Sequence, residues 1–241
     1  MKNSTTIAIK NFDGLANFLQ KTTIELSEVI TGFLASDVND KKLAIGHIVQ
    51  SIFKGDLLTQ VGRELKVFRD KGLIKEDYFA THKQQSTLVE FLKFIDGEDT
   101  PDEERFKAMK SIFFYSVSKE ATEKTEKDAY EMMQICKQLS SMEILILKAA
   151  YDIFTGKAKP TMGAITNTGE RRKWLNIIAN ELGYDFPEIV ERHEKHLMEL
   201  KLISERTGHI SPGNGGTIEP TRFFRLTTLG YKLCEYITKY E

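Results

Sequence analysis

The sequence predicts a mainly helical chain: a helical bundle over 1–138, and a second domain over 139–241 that combines helices with a two-stranded β-ribbon. Three observations predict it. Apolar residues recur at three- and four-residue steps through most of the chain, the period of an amphipathic helix. Only 5 prolines and 16 glycines interrupt 241 residues, and long stretches consist of helix formers. In the second domain alone, Asn214-Gly215 stands between two strand-like runs, at 202–206 and 221–227, a combination that signals a hairpin.

In the first half, Leu15, Phe18, Leu19, Leu26, Val29 and Ile30 share one helical face, continued by Phe33 and Leu34. A second helical stretch runs from about Asp40 to Lys71, bent near Gly55, with Leu57, Leu58, Val61, Leu65 and Phe68 on one side and Gly72 as its terminator. A third lies near Ser86 to Ile95. The sharpest helix start is Thr100-Pro101-Asp102-Glu103: Thr100 caps, Pro101 suits the first turn because its missing N–H costs nothing there, and Glu103 completes a capping box. Phe106, Met109, Phe113, Phe114 and Val117 form the apolar side of that helix. The polar segment 118–128 is either a hinge or the exposed opening of the next helix, which carries Tyr130, Met133 and Ile135.

The second domain opens on another capping box, Ser140-Ser141-Met142-Glu143, ahead of the apolar run ILILKAAYDIF. A turn-rich loop over 155–169 follows. Then come IIANELGY (177–184), a proline-opened helix over 185–203, the strand-like ISER, a glycine-rich turn from Ser211 to Gly216, and FFRLTTLGYKLCEYI (223–237). A short helix, a tight turn at a glycine, a second helix and a ribbon are the parts of a helix-turn-helix with a wing. From about Trp174 to Ile237 the order and spacing resemble bacterial winged-helix regulators, in which an A-x-x-L-G turn precedes the recognition helix and an L-T-x-x-G run follows the wing. The resemblance implies a winged helix over 139–241. The segment CKQLSSMEILILKAAYDIF (136–154) is also similar to helical segments of bacterial abortive-infection families. The N-terminal half resembles no family.

Hydrophobic content of 41% and charged content of 29% are those of a soluble globular protein. TIAI (6–9) is far too short for a signal peptide, and MEILILKAAY (142–151) falls short of the roughly 20 residues of a membrane span. Cys136 and Cys234 have no partner at metal or redox spacing, which suits reduced thiols, so a cytoplasmic protein without membrane contact is expected.

Charge weighs against a dedicated nucleic-acid binder. Residues 139–241 hold 14 basic and 13 acidic side chains, and residues 1–138 hold 20 and 22, so neither half is clearly basic. On a wheel at about 100° per residue, Ile189, Val190, His193, Leu197 and Leu200 share one face of the 187–201 helix, with His196 at its edge. The opposite face presents Glu188, Glu191, Arg192, Lys195 and Glu199, three acids against two bases, and phosphates repel such a face. Nucleic-acid contact therefore falls to Arg171, Arg172 and Lys173 before the turn and to Arg206, His209, Arg222 and Arg225 on or beside the wing, with Arg192 and Lys195 the bases of the recognition helix.

No other constellation carries chemistry. His193 and His196 lie three residues apart, whereas the H-E-x-x-H of zinc hydrolases needs four; a packed or partner-facing pair is expected and no metal. SPGNGGT (211–217) lacks the Gly-Lys-Ser/Thr of a phosphate-binding loop and is expected to form the wing tip. No nucleophile elbow, Cys–His pairing or nucleotide fingerprint is present, and Trp174 and Phe113-Phe114-Tyr115 are expected in the core. These features predict a non-catalytic binding or regulatory protein without cofactor. One form is a DNA-associated regulator whose helical half senses a ligand or dimerises. The other is a winged helix used for protein contacts in a multi-protein system such as phage defence.

Overall fold

The structure, a computed structural model, describes residues 56–57, 60–65, 67–68, 70–75, 82–97, 102–159, 173–205 and 224–240. Its described part is mainly helical: α1 (His82–Gly97), α2 (Glu103–Val117), α3 (Glu123–Cys136), α4 (Ser141–Thr155), α5 (Lys173–Glu181), α6 (Glu188–Glu199) and α7 (Thr228–Thr238). Residues 56–70 are also helical at their described positions. Two compact units divide the chain, one holding 1–102 and 112–133, the other 103–111 and 134–241. The helices expected over 15–34 and 40–55, the cap at Thr100 and Pro101, and the glycine-rich turn lie outside the described residues.

In the first unit the helix over 56–70 ends where Gly72 takes a left-handed φ of 66° and the Leu73 amide reaches back 2.9 Å to the Phe68 carbonyl. This is the terminator expected there. Ile74 then forms an antiparallel bridge with Ser118, and Lys75 pairs with Glu126 at 2.8 Å. Of the two roles open to the segment after α2, the structure shows the opening of the next helix: Thr122 starts α3 by accepting the Thr125 amide at 3.2 Å, while Ser118 closes the bridge to Ile74. Helix α1 starts at His82, earlier than the apolar pattern suggested, because Lys and Gln extend a helix without contributing to its buried face. Packed rings fill the interior: Phe91 stacks on Phe113 at 5.3 Å, and Phe114 meets Phe68 at 5.0 Å.

The second unit is organised around α4, which packs on α5, α6 and α7. Its start is the capping box read from the sequence. The Glu143 amide donates to Ser140 Oγ at 3.3 Å, and Glu143 Oε2 accepts from the Ser140 amide at 2.8 Å. Gly156, at φ 76°, caps the other end. Ile144, Leu147 and Ala150 are fully buried, as are Leu175 and Ile178 of α5, Val190 and Leu197 of α6, and Leu233 and Cys234 of α7. Ser111 donates to the Tyr236 carbonyl at 2.7 Å and accepts the Tyr240 amide at 3.1 Å, tying the first turns of α2 to the end of α7.

The expected two-stranded ribbon is not shown among the described residues. Among the described residues there is no sheet; Ile203 and Leu226 form one antiparallel bridge, flanked by Ser204 N to Arg225 O at 2.8 Å and Thr227 N to Leu202 O at 3.0 Å. Residues 206–223, which would continue it, lie outside the described residues.

Candidate binding face

Helices α5 and α6 are joined by a turn whose geometry explains the A-x-x-L-G spelling. Gly183 sits at φ 75°, its amide bonds the Asn180 carbonyl at 3.1 Å, and the Tyr184 amide bonds the Ala179 carbonyl at 2.8 Å. This is a Schellman closure, and its left-handed position favours glycine. Ala179 is buried. Pro187, at φ −65°, then leads into α6 without a side-chain cap. Helix α6 closes by the same device: the Leu202 amide reaches the Leu197 carbonyl and the Lys201 amide the Met198 carbonyl, both at 2.9 Å, with Lys201 in the left-handed position at φ 59°.

The L-T-x-x-G run is equally physical. Leu226 is buried, and Thr227 caps α7 by accepting the Gly230 amide at 3.0 Å while its hydroxyl donates to the Lys201 carbonyl at 2.6 Å. Gly230 presses α7 onto the chain just after α6. A Cβ at that position would overlap the Leu202 carbonyl oxygen and stand 2.9 Å from its carbonyl carbon. Only glycine fits so close an approach.

Two buried charges fix α6 from beneath. Glu143, 4% exposed at the first turn of α4, receives His196 Nδ1 at 2.8 Å, and His193 Nδ1 lies 3.6 Å from the same oxygen. The histidine pair, for which a packed or a partner-facing role was open, links α6 to α4 through Glu143 while His193 stays 29% and His196 40% exposed. An ionised carboxylate only accepts, so the His196 Nδ1 carries the proton. Burial pushes the Glu143 pKa up, but the Ser140 amide and hydroxyl and His196 outweigh it and hold the carboxyl below its usual range.

The second buried charge is Glu194, on the same helix. Its carboxylate accepts a hydrogen bond from Arg225 Nη1, with both side chains 6% exposed. Arg225 Nε donates to the Ser204 carbonyl at 3.0 Å, and the guanidinium lies over the Trp174 ring at 4.5 Å. Trp174 in turn donates Nε1–H to the Phe224 carbonyl at 3.0 Å. Phe224 and Arg225 both occupy the left-handed region, at φ 51° and 71°. Holding two adjacent non-glycine residues there costs energy, and this network of hydrogen bonds is what holds them.

Arg225 is therefore corrected from a phosphate-contacting base to an internal ion-pair partner: its charge is consumed by Glu194 and its surface by Trp174. Of the other candidate bases, Lys173 is exposed at the start of α5, and Arg192 and Lys195 are exposed on α6, with Lys195 3.6 Å from Glu199. Arg171, Arg172, Arg206, His209 and Arg222 lie outside the described residues. The outward face of α5, the turn and α6 is net acidic. Over 173–205, leaving aside buried Glu194, six acids (Glu181, Asp185, Glu188, Glu191, Glu199 and Glu205) stand against four bases.

Glu143, Glu194 and Phe186 shape this face without standing out in the sequence as binding residues. Glu194 carried a legible signal: at about 40° beyond Val190 it borders the apolar face, and an acid buried there demands a cation. Phe186 is 66% exposed at the turn, the most exposed large hydrophobic side chain among the described residues. It had no signal, because an aromatic beside a proline reads equally as core. Among the described residues, no group of three or more His, Cys, Asp or Glu is arranged to hold a metal ion, and no helix is long and apolar enough to cross a membrane. Comparison with protein-family models, with curated proteins and with solved structures returned no match.

Proposed function

We propose that residues 139–241 form a winged helix with the ribbon completed by 206–223, and that the protein is a non-catalytic binding protein whose α5–turn–α6 face contacts another protein rather than DNA. The observation that carries this is the fate of charge. Arg225, the candidate wing base whose position is described, is withdrawn into an ion pair, while carboxylates outnumber bases on the outward face. A DNA-contacting face draws its affinity from bases that neutralise phosphates. An acidic face around a recognition helix instead suits a basic protein surface.

A DNA-associated regulator is the second reading, and one observation favours it: Lys173 is exposed at the start of α5, directly after Arg171 and Arg172 in the chain. Helix starts of this kind contact phosphate backbones. Retention of a mixed-sequence DNA duplex by the full chain at about 50 mM salt separates the two. The protein-contact reading expects no retention. Salt-sensitive retention, abolished by replacing Arg171, Arg172 and Lys173 together with Ala, would establish the DNA reading instead.

A further inference from the structure

We infer that the α5–α6 turn is the anchoring point of that face, with Phe186 inserted into a short basic segment of a partner protein that carries an apolar side chain. This rests on the protein-contact reading and narrows it to one position and one chemistry.

Phe186 is 66% exposed, more than Val67 at 48%, Leu73 at 43% or Phe154 at 39%. Phe154 has an aromatic neighbour in Tyr231 at 5.7 Å. The backbone beneath Phe186 is held on both sides. Gly183 closes α5 before it, buried Pro187 follows it, and its own carbonyl accepts the Ile189 amide at 3.2 Å. A solvated aromatic side chain on a backbone held at both sides spares the cost of ordering that backbone on binding.

The surroundings select the partner. Exposed Glu181 and Asp185 precede Phe186 and exposed Glu188 follows it, and the first base along α6 is Arg192. Three exposed carboxylates within five residues of Phe186 along the chain repel nucleic acid phosphates and favour lysines or arginines. They also oppose self-association through this turn, since a two-fold contact would set the same acids of two copies against each other. A basic segment with one apolar residue satisfies both the ring and the charges.

The test uses the full chain and three fluorescent twelve-residue probes: lysines around a single leucine, the same lysines with glycine for leucine, and glutamates around the leucine. Anisotropy should show saturable binding of the first, with the second weaker and the third unbound. Phe186→Ala, and separately Asp185→Lys with Glu188→Lys, should each weaken the first probe about tenfold or more, the loss that truncating a central anchor produces. Binding that is indifferent to both variants, but lost when Glu191 and Glu199 are replaced by Lys, would overturn the anchor while leaving an acidic protein-contact face. Failure of every probe together with DNA retention would overturn the protein-contact reading itself. Unchanged thermal unfolding of Phe186→Ala separates lost contact from lost fold.

Discussion

Arg225 shows how a single side chain changes meaning between sequence and structure. Among threonines beside a glycine-rich turn, an arginine reads as a wing base. Folded, it is 5% exposed, paired with Glu194, stacked over Trp174 and bonded to the Ser204 carbonyl. Removing one member of a buried pair leaves the other charged and unsolvated. Arg225→Ala should therefore lower stability by about 3–5 kcal/mol in urea unfolding. The paired replacement of Arg225 and Glu194 by Met should recover most of that loss, because an apolar pair carries no desolvation penalty. The chain has one tryptophan, so Trp174 emission reports this node directly. A loss below about 1 kcal/mol for Arg225→Ala would mean that the pair is solvated in solution.

At the scale of elements, α4, α6 and α7 are joined by backbone closeness and by one carboxylate. Gly230 permits α7 to lie against the Leu202 carbonyl, so Gly230→Ala should destabilise by about 1–3 kcal/mol or more, although alanine is the better helix former. A neutral or stabilising result in thermal unfolding would show that α7 stands further from Leu202. Glu143 both caps α4 and receives His196, and its pKa is held below the ordinary 4.5. With the folded pKa lowered, its contribution is fully present above about pH 4.5 and disappears as pH falls through the lowered value. Glu104, held low by Lys107 and Lys148 against its burial, acts in the same direction. Glu143→Gln should thus reduce stability at pH 7 and flatten, without abolishing, its decline below about pH 4.5. An unchanged slope would contradict the capped, clamped carboxylate.

For the molecule as a whole, solvent access offers the simplest check. Cys136 and Cys234 are both buried; burial pushes the Cys136 thiol up to about 12 and raises that of Cys234 further. Cys234 also donates to the Leu147 carbonyl at 3.4 Å. Neither thiol should react with a disulfide reagent at pH 8 until the protein is unfolded, and denaturant should expose two per chain. Rapid labelling of either one under native conditions would place it at the surface. Much of this architecture was legible beforehand. The Ser140–Glu143 box, the terminators Gly72 and Gly183, and the core face of α2 depend on residues within a few positions of each other, and local sequence records such relations directly. The candidate face was legible only in part: the wheel gives the acidic outward side of α6, whereas nothing in the sequence singles out Phe186, and Arg225, which reads as a wing base, is buried.

The sequence by itself determined the capped start of α4, the apolar faces of α2 and α6, and why glycine stands at the α5 turn, because caps, periodicity and left-handed backbone are short-range physics. Tertiary structure alone decided where the charges go. Glu194 and Arg225 are 31 residues apart in the chain, and Glu143 and His196 are 53 apart. Whether such groups face water or one another depends on packing that no local pattern encodes, and the free energy of a charge depends above all on that surrounding medium.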